Sequence, residues 1–166
     1  MKVLVAVASK HGSTEGIAQA IAERLRELGH EAEARAVQEV RDTGEVQAVV
    51  LGSAVYAGSW MKEAVEFAER NAESFARLPV WLFSSGPLGT EVKDEEEQPR
   101  QLAELTEMLH PNDHRVFFGA LDKAKLGFGE RMIVKAVKAP DGDYRDWDAI
   151  RAWADDIAST LTDPRR

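Results

Sequence analysis

Residues 2–8, KVLVAVA, are apolar at every position after the first lysine and rich in valine. A strand with no polar side has nothing to offer water, so it belongs inside a parallel sheet covered by helices on both faces. The next residues agree with that placement. SKHGST forms a loop of small, hydroxylated and glycine residues, and Thr14 stands where a helix N-cap would. Ile17, Ala18, Ile21, Ala22, Leu25 and Leu28 then follow at helical spacing before Gly29 supplies a stop. This is one strand–loop–helix unit.

The unit recurs along the chain. EAEARAV, VQAVVLGSAV, PVWLFSS and RVFFGAL read as the second to fifth strands. Met61, Ala64, Val65 and Ala68 mark one intervening helix; Leu102, Leu105, Met108 and Leu109 mark another. Trp147, Ile150, Trp153, Ile157 and Leu161 step by three and four into a final amphipathic helix. The alternation predicts an α/β fold, a doubly wound five-stranded parallel sheet with helices on both faces. With 166 residues and 44% hydrophobic content, one domain spanning residues 1–166 is expected, with a basic connection at about residues 121–144 before the last helix.

Ligands bind such sheets where strands end at the carboxyl edge, near the switch in strand order. Three loops leave strands there: SKHGST, GSAVYAGSW and SSGPLGT. Each combines glycines for close backbone approach with hydroxyls for hydrogen bonding, and the second adds Tyr56 and Trp60. The first loop opens a helix, so its backbone N–H groups and the hydroxyls of Ser9, Ser13 and Thr14 form an anion site. It lacks the Gly-Lys-Ser/Thr ending of a nucleoside-triphosphate loop, and Gly12 and Gly16 do not complete a dinucleotide fingerprint. Hydroxyls with almost no cationic help suit a terminal monophosphate, as in a mononucleotide cofactor. A phospho-receiver domain needs acidic residues at the end of the first strand, and there are none.

Composition narrows the chemistry further. The absence of cysteine removes disulfides, thiolate-held clusters and thiol nucleophiles, so redox chemistry must come from a bound cofactor. A formal charge of -8 disfavours nucleic acid and anionic surfaces and favours a small ligand or a basic protein partner. No apolar run approaches the roughly 20 residues of a bilayer span, and MKVLVAVAS is too short for a signal peptide; the expectation is a soluble, cytoplasmic chain with at most peripheral membrane contact.

The first loop, with the aromatic and glycine-bearing loop after the third strand, resembles the FMN-binding loops of flavodoxins over about residues 2 to 162. Against the family's Ser/Thr-x-Thr-Gly-x-Thr pattern, Ser9, Gly12 and Thr14 match and His11 departs. FGALDKAKLGFGERMIVKAVK followed by DWDAIRAWADDIA is similar to the branch containing menaquinone-dependent protoporphyrinogen IX dehydrogenases. The resemblance implies FMN as cofactor, with no metal and no catalytic side chain required. It implies contacts from Ser9, His11, Gly12, Ser13 and Thr14, from Ser53, Val55, Tyr56, Ala57, Gly58 and Trp60, and from Ser85, Gly86, Pro87, Leu88 and Gly89. The implied partners are a redox protein or a quinone, with an anionic porphyrinogen as substrate. Three functions stay open: a protoporphyrinogen-type dehydrogenase, a one-electron carrier between proteins, and a flavin-free interaction domain.

Simpler readings stand beside these. Tyr56 and Trp60 are either packing groups or surfaces for the flavin ring, and Gly58 suits a backbone carbonyl near flavin N5. Trp81, Trp147 and Trp153 read as core; His30, His110 and His114 read as solvated loop residues. Asp94 to Glu97 form a solvated face or a guide for a basic partner. Lys123, Lys125, Arg131, Lys135 and Lys138 form either the wet side of a helix or a connection that approaches substrate carboxylates, a quinone or a membrane surface.

Overall fold

The computed structural model describes residues 1–10, 12–56, 58–86, 101–121, 142–143 and 145–163. Five strands run parallel: β1 (Lys2–Ala8), β2 (Glu31–Ala36), β3 (Ala48–Tyr56), β5 (Val80–Ser85) and β6 (Asp113–Phe117). A short sixth strand, β4 (Ser59–Trp60), pairs antiparallel with the end of β3. The order is β2-β1-β3-β5-β6, so the chain winds outward from β1 to β2 and then crosses back to place β3 on the other side. The strand order thus reverses between β1 and β3, and in sheets of this kind the carboxyl ends beside such a reversal are where ligands bind.

The uniform apolar character of β1 is resolved by its two faces. Val3, Val5 and Val7 enter one core with Trp81 and Phe83, against Ile17, Ile21 and Leu25 of α1 (Ser13–Glu27) and Ile150, Trp153 and Ile157 of the last helix, α5 (Trp147–Thr162). Leu4, Ala6 and Ala8 enter the other, with Leu51 and Leu82, against α2 (Lys62–Arg70), α3 (Ala72–Phe75) and α4 (Leu102–Leu109) through Phe67, Phe75, Leu105 and Leu109. Each fully buried isoleucine, leucine or phenylalanine contributes about 1.5–3 kcal/mol. Gly29 ends α1 as expected: at φ 94 its N–H donates to the Arg26 carbonyl while the His30 N–H reaches back to Leu25, which satisfies two terminal acceptors.

Some expectations are corrected. The fifth strand is Asp113–Phe117 rather than residues 115–121, because Asp113 already pairs with Trp81 and its carboxylate accepts the Trp153 indole N–H at 3.0 Å. Ala120–Leu121 instead forms β7, paired antiparallel with β8 (Gly142–Asp143) outside the main sheet. Trp147 is not core: it is 40% exposed, with the Arg145 guanidinium 4.6 Å from its ring centroid. His30 and His114 are not solvated loop residues either. His30 is buried, and His114 lies on β6 with its ring against Ser84 of the neighbouring strand. His11, Ala57, Pro87, Leu88 and Gly89, the acidic run Asp94 to Glu97 and the basic residues from Lys123 to Lys138 lie outside the described residues.

Candidate functional site

Three strand ends meet at the carboxyl edge. At the first, Gly12 is the N-cap of α1 with φ 85, and among the described residues no side-chain hydrogen bond caps the helix, whose positive end lies at this edge of the sheet. Ser9 Oγ accepts the Gly12 N–H at 3.1 Å, closing the turn and leaving the hydroxyl's own hydrogen to donate. Thr14, expected at the N-cap, lies inside the helix and is 2% exposed. The left-handed turn at Gly12 starts the helix earlier than a threonine cap would.

At the second end, β3 reverses into β4, with Val55 opposite Trp60 and Tyr56 opposite Ser59. Gly58 sits in the connection at φ 75, exposed, with open space where a side chain would stand. Ser53 is fully buried; its hydroxyl donates to the Ala54 carbonyl at 2.8 Å and accepts the Met61 N–H at 2.9 Å, which ties this turn to the start of α2. Trp60, one of two aromatics expected as a flat surface for a ring, is 3% exposed and belongs to the core. Its indole N–H donates to Ser84 Oγ at 2.7 Å, and Ser84 Oγ lies 2.8 Å from His114 Nε2. An indole can only donate, so the Ser84 hydroxyl accepts from it while its oxygen also lies within hydrogen-bond reach of His114 Nε2, which links Trp60 of β4 to β5 and β6.

At the third end, Gly86 donates its N–H to the Phe117 carbonyl at 3.2 Å. A Cβ at Gly86 would stand 3.0 Å from the Val55 carbonyl oxygen, so a glycine here lets the third loop close on the second. Beside it the Ser85 hydroxyl is buried without a hydrogen-bond partner among the described residues. Gly119 joins this group, although the sequence pattern places it in a strand interior. A Cβ there would lie 3.4 Å from Ser85 Oγ, 3.5 Å from Ser13 Oγ and 3.6 Å from Gly86 Cα. The structure therefore brings together Ser13 of the first loop, Ser85 and Gly86 of the third, and Gly119 after β6. A glycine within a strand-like apolar run is the available signal of such close approach.

A cation also stands nearer the first loop than the sequence suggests. Arg145 Nη1 donates to the Ser13 carbonyl at 3.3 Å, while Asp143 accepts from Arg145 Nε at 2.9 Å and from Nη2 at 2.7 Å. The hydrogen bond from Arg145 holds the Asp143 carboxyl below the usual range, and the same bond raises the guanidinium further above neutrality.

His30 and His114 make stability pH-dependent. Burial lowers His114 against the opposing pull of Asp113, and burial followed by the nearby N-terminal ammonium lowers His30. Below the ordinary histidine value of about 6.5 the unfolded chain therefore binds protons that the folded chain refuses, so stability present above that pH is lost as pH falls through the lowered values. The slope is at most about 1.4 kcal/mol per pH unit for each ring. Denaturant titrations between about pH 5 and 7 should show a shallower loss for His114→Gln than for wild type; equal slopes would remove His114 from the account.

Residues 4–148 match the family model described as a flavodoxin domain. The protoporphyrinogen IX dehydrogenase [quinone] of Escherichia coli (strain K12) is 24% identical over 177 aligned positions, which cover 98% of this chain and 97% of that protein. Among solved structures, a flavodoxin from the domain Archaea aligns with a TM-score of 0.68 at 18% identity, covering 98% of this chain and 100% of its own. An oxidised flavodoxin from Bacillus cereus aligns with a TM-score of 0.60 at 13% identity, covering 98% of this chain and 100% of its own. Among the described residues, no helix is long and apolar enough to cross a membrane.

Proposed function

This chain belongs to the flavodoxin domain family, and from that membership we propose that it is an FMN-binding oxidoreductase whose cofactor lies across the carboxyl edge of the sheet. The family implies a flavin. The single observation that carries the placement is the meeting of Ser13, Ser85, Gly86 and Gly119 at the strand ends, where Ser85 keeps a buried hydroxyl without a partner among the described residues. An orphaned polar atom beside two glycines fits a site that a polar ligand completes. Bound there, the isoalloxazine would supply one- and two-electron redox chemistry that no side chain of this cysteine-free protein can.

The protein's own part is to bind and orient. Ser9, Ser13 and Thr14 would hold the phosphate with the N-terminal turn of α1, by hydroxyl and backbone donors. Val55, Tyr56 and Gly58 from one side and Ser85 and Gly86 from the other would flank the ring; the family resemblance adds Ala57, Pro87, Leu88 and Gly89 there and His11 to the phosphate loop. Ser53 and Trp60 act from behind, as the bonds that hold the β3–β4 turn against α2 and β5.

For the reaction, we favour oxidation of an anionic porphyrinogen with a quinone as acceptor. What supports it is the near-complete coverage of both chains in the alignment with the Escherichia coli dehydrogenase. The runner-up is one-electron transfer between redox proteins, supported by the fold shared with flavodoxins. Anaerobic turnover of protoporphyrinogen IX with a menaquinone analogue separates them. The dehydrogenase reading expects multiple turnovers per flavin. No turnover, together with rapid single-electron exchange with a reductase that slows as salt rises, would replace it with the carrier reading.

A further inference from the structure

We propose that Arg145 is a positioning residue for the phosphate-binding turn, acting through the Ser13 peptide rather than through its charge. This rests on the phosphate assignment above. Arg145 comes from the far end of the chain, shortly after β8, and it is held on three sides. Both Asp143 oxygens take its guanidinium, its Cζ stacks 4.6 Å from the Trp147 ring centroid, and Nη1 reaches Ser13 O at 3.3 Å. Its side chain is only 19% exposed. Gly16 makes room for it: a Cβ there would stand 2.7 Å from Nη1.

The Ser13 carbonyl and the Thr14 N–H belong to one planar peptide and point in opposite directions. A charged donor on the carbonyl therefore fixes the direction of the Thr14 N–H and polarises it, at the mouth of the helix where an anion would sit. Asp143 pairs the guanidinium as a bidentate fork, so little of its field is left to act on the anion at a distance. The geometry points to orientation as the contribution. Lysine cannot keep the fork and the Ser13 bond together.

The test titrates wild type, R145Q, R145K, D143N and G16A with FMN and with riboflavin. It also follows amide hydrogen exchange at Gly16, whose N–H bonds the Gly12 carbonyl, in flavin-free wild type and R145Q. R145Q, R145K and G16A should each weaken FMN by about tenfold and riboflavin by less than about twofold, with D143N moving in the same direction. Gly16 should exchange faster in R145Q while Ile21 does not change. G16A is informative because alanine favours a helix, so weaker FMN binding in it cannot come from a poorer α1. Wild-type FMN affinity in R145K, or tighter binding in D143N, would make charge the cause and overturn the proposal. Equal losses for both flavins, or unchanged Gly16 exchange, would overturn it too. If wild type holds FMN no tighter than riboflavin while Gly16 still responds to R145Q, the phosphate assignment fails and the bracing of α1 survives.

Discussion

Gly52→Ala should lower stability by about 3 kcal/mol, the upper end of ordinary overpacking. Gly52 pairs directly with Phe83 across β3 and β5, and a Cβ at Gly52 would collide with Cζ and both Cε atoms of the Phe83 ring. That ring is fully buried and cannot retreat. It is bounded by Phe117 and Trp153, with centroids at 6.2 and 6.1 Å. In a chain of this size the loss corresponds to a fall of roughly 6–12 °C in Tm. Gly44→Ala is the control, since Gly44 sits at φ 50 with open space around it and carries only backbone strain, about 1–2 kcal/mol. A Gly52→Ala protein that melts like wild type would mean that Phe83 has room to move.

The second large effect is on the cofactor. Ser9→Ala and Thr14→Ala should each weaken FMN by roughly ten- to hundredfold, since a hydrogen bond to a charged group is worth about 1.5–3 kcal/mol. Riboflavin, which lacks the phosphate, should lose little. Ser9 has a second duty, because its hydroxyl accepts the Gly12 N–H and shapes the turn. Thr14 has no such bond to Gly12, so its loss should be the more selective of the two. Equal losses for both flavins would move these hydroxyls away from the phosphate.

These two cases show what a sequence can reveal. The valine run of β1 and the periodic stripes of α1 and α5 announce their elements because burial repeats at short range, and the glycine-rich strand ends announce the edge. Gly52 is different. Nothing near it in the chain distinguishes a glycine that houses Phe83 from one that weakens a strand, since the two meet only through sheet pairing. Arg145 is hidden for the same reason: its contact with Ser13 joins residues 132 positions apart. Trp147 falls on an apolar stripe yet is exposed, because it lies at the first turn of α5 beside that arginine. β4 is only two residues long and carries no periodic pattern to read. His114 reads as a loop residue because RVFFGAL marks the apolar part of its strand, whereas pairing with β5 begins at Asp113.

The central claim is that the carboxyl edge of this sheet holds FMN by its phosphate. The most direct measurement is a titration of the purified, flavin-stripped protein with FMN, riboflavin and FAD, followed by visible absorbance and flavin fluorescence. The account predicts a stable yellow complex with FMN, at least about tenfold weaker binding of riboflavin, on the order of one phosphate hydrogen bond, and no preference for FAD. Absence of a flavin spectrum with any of the three, or tighter binding of FAD than of FMN, would contradict it.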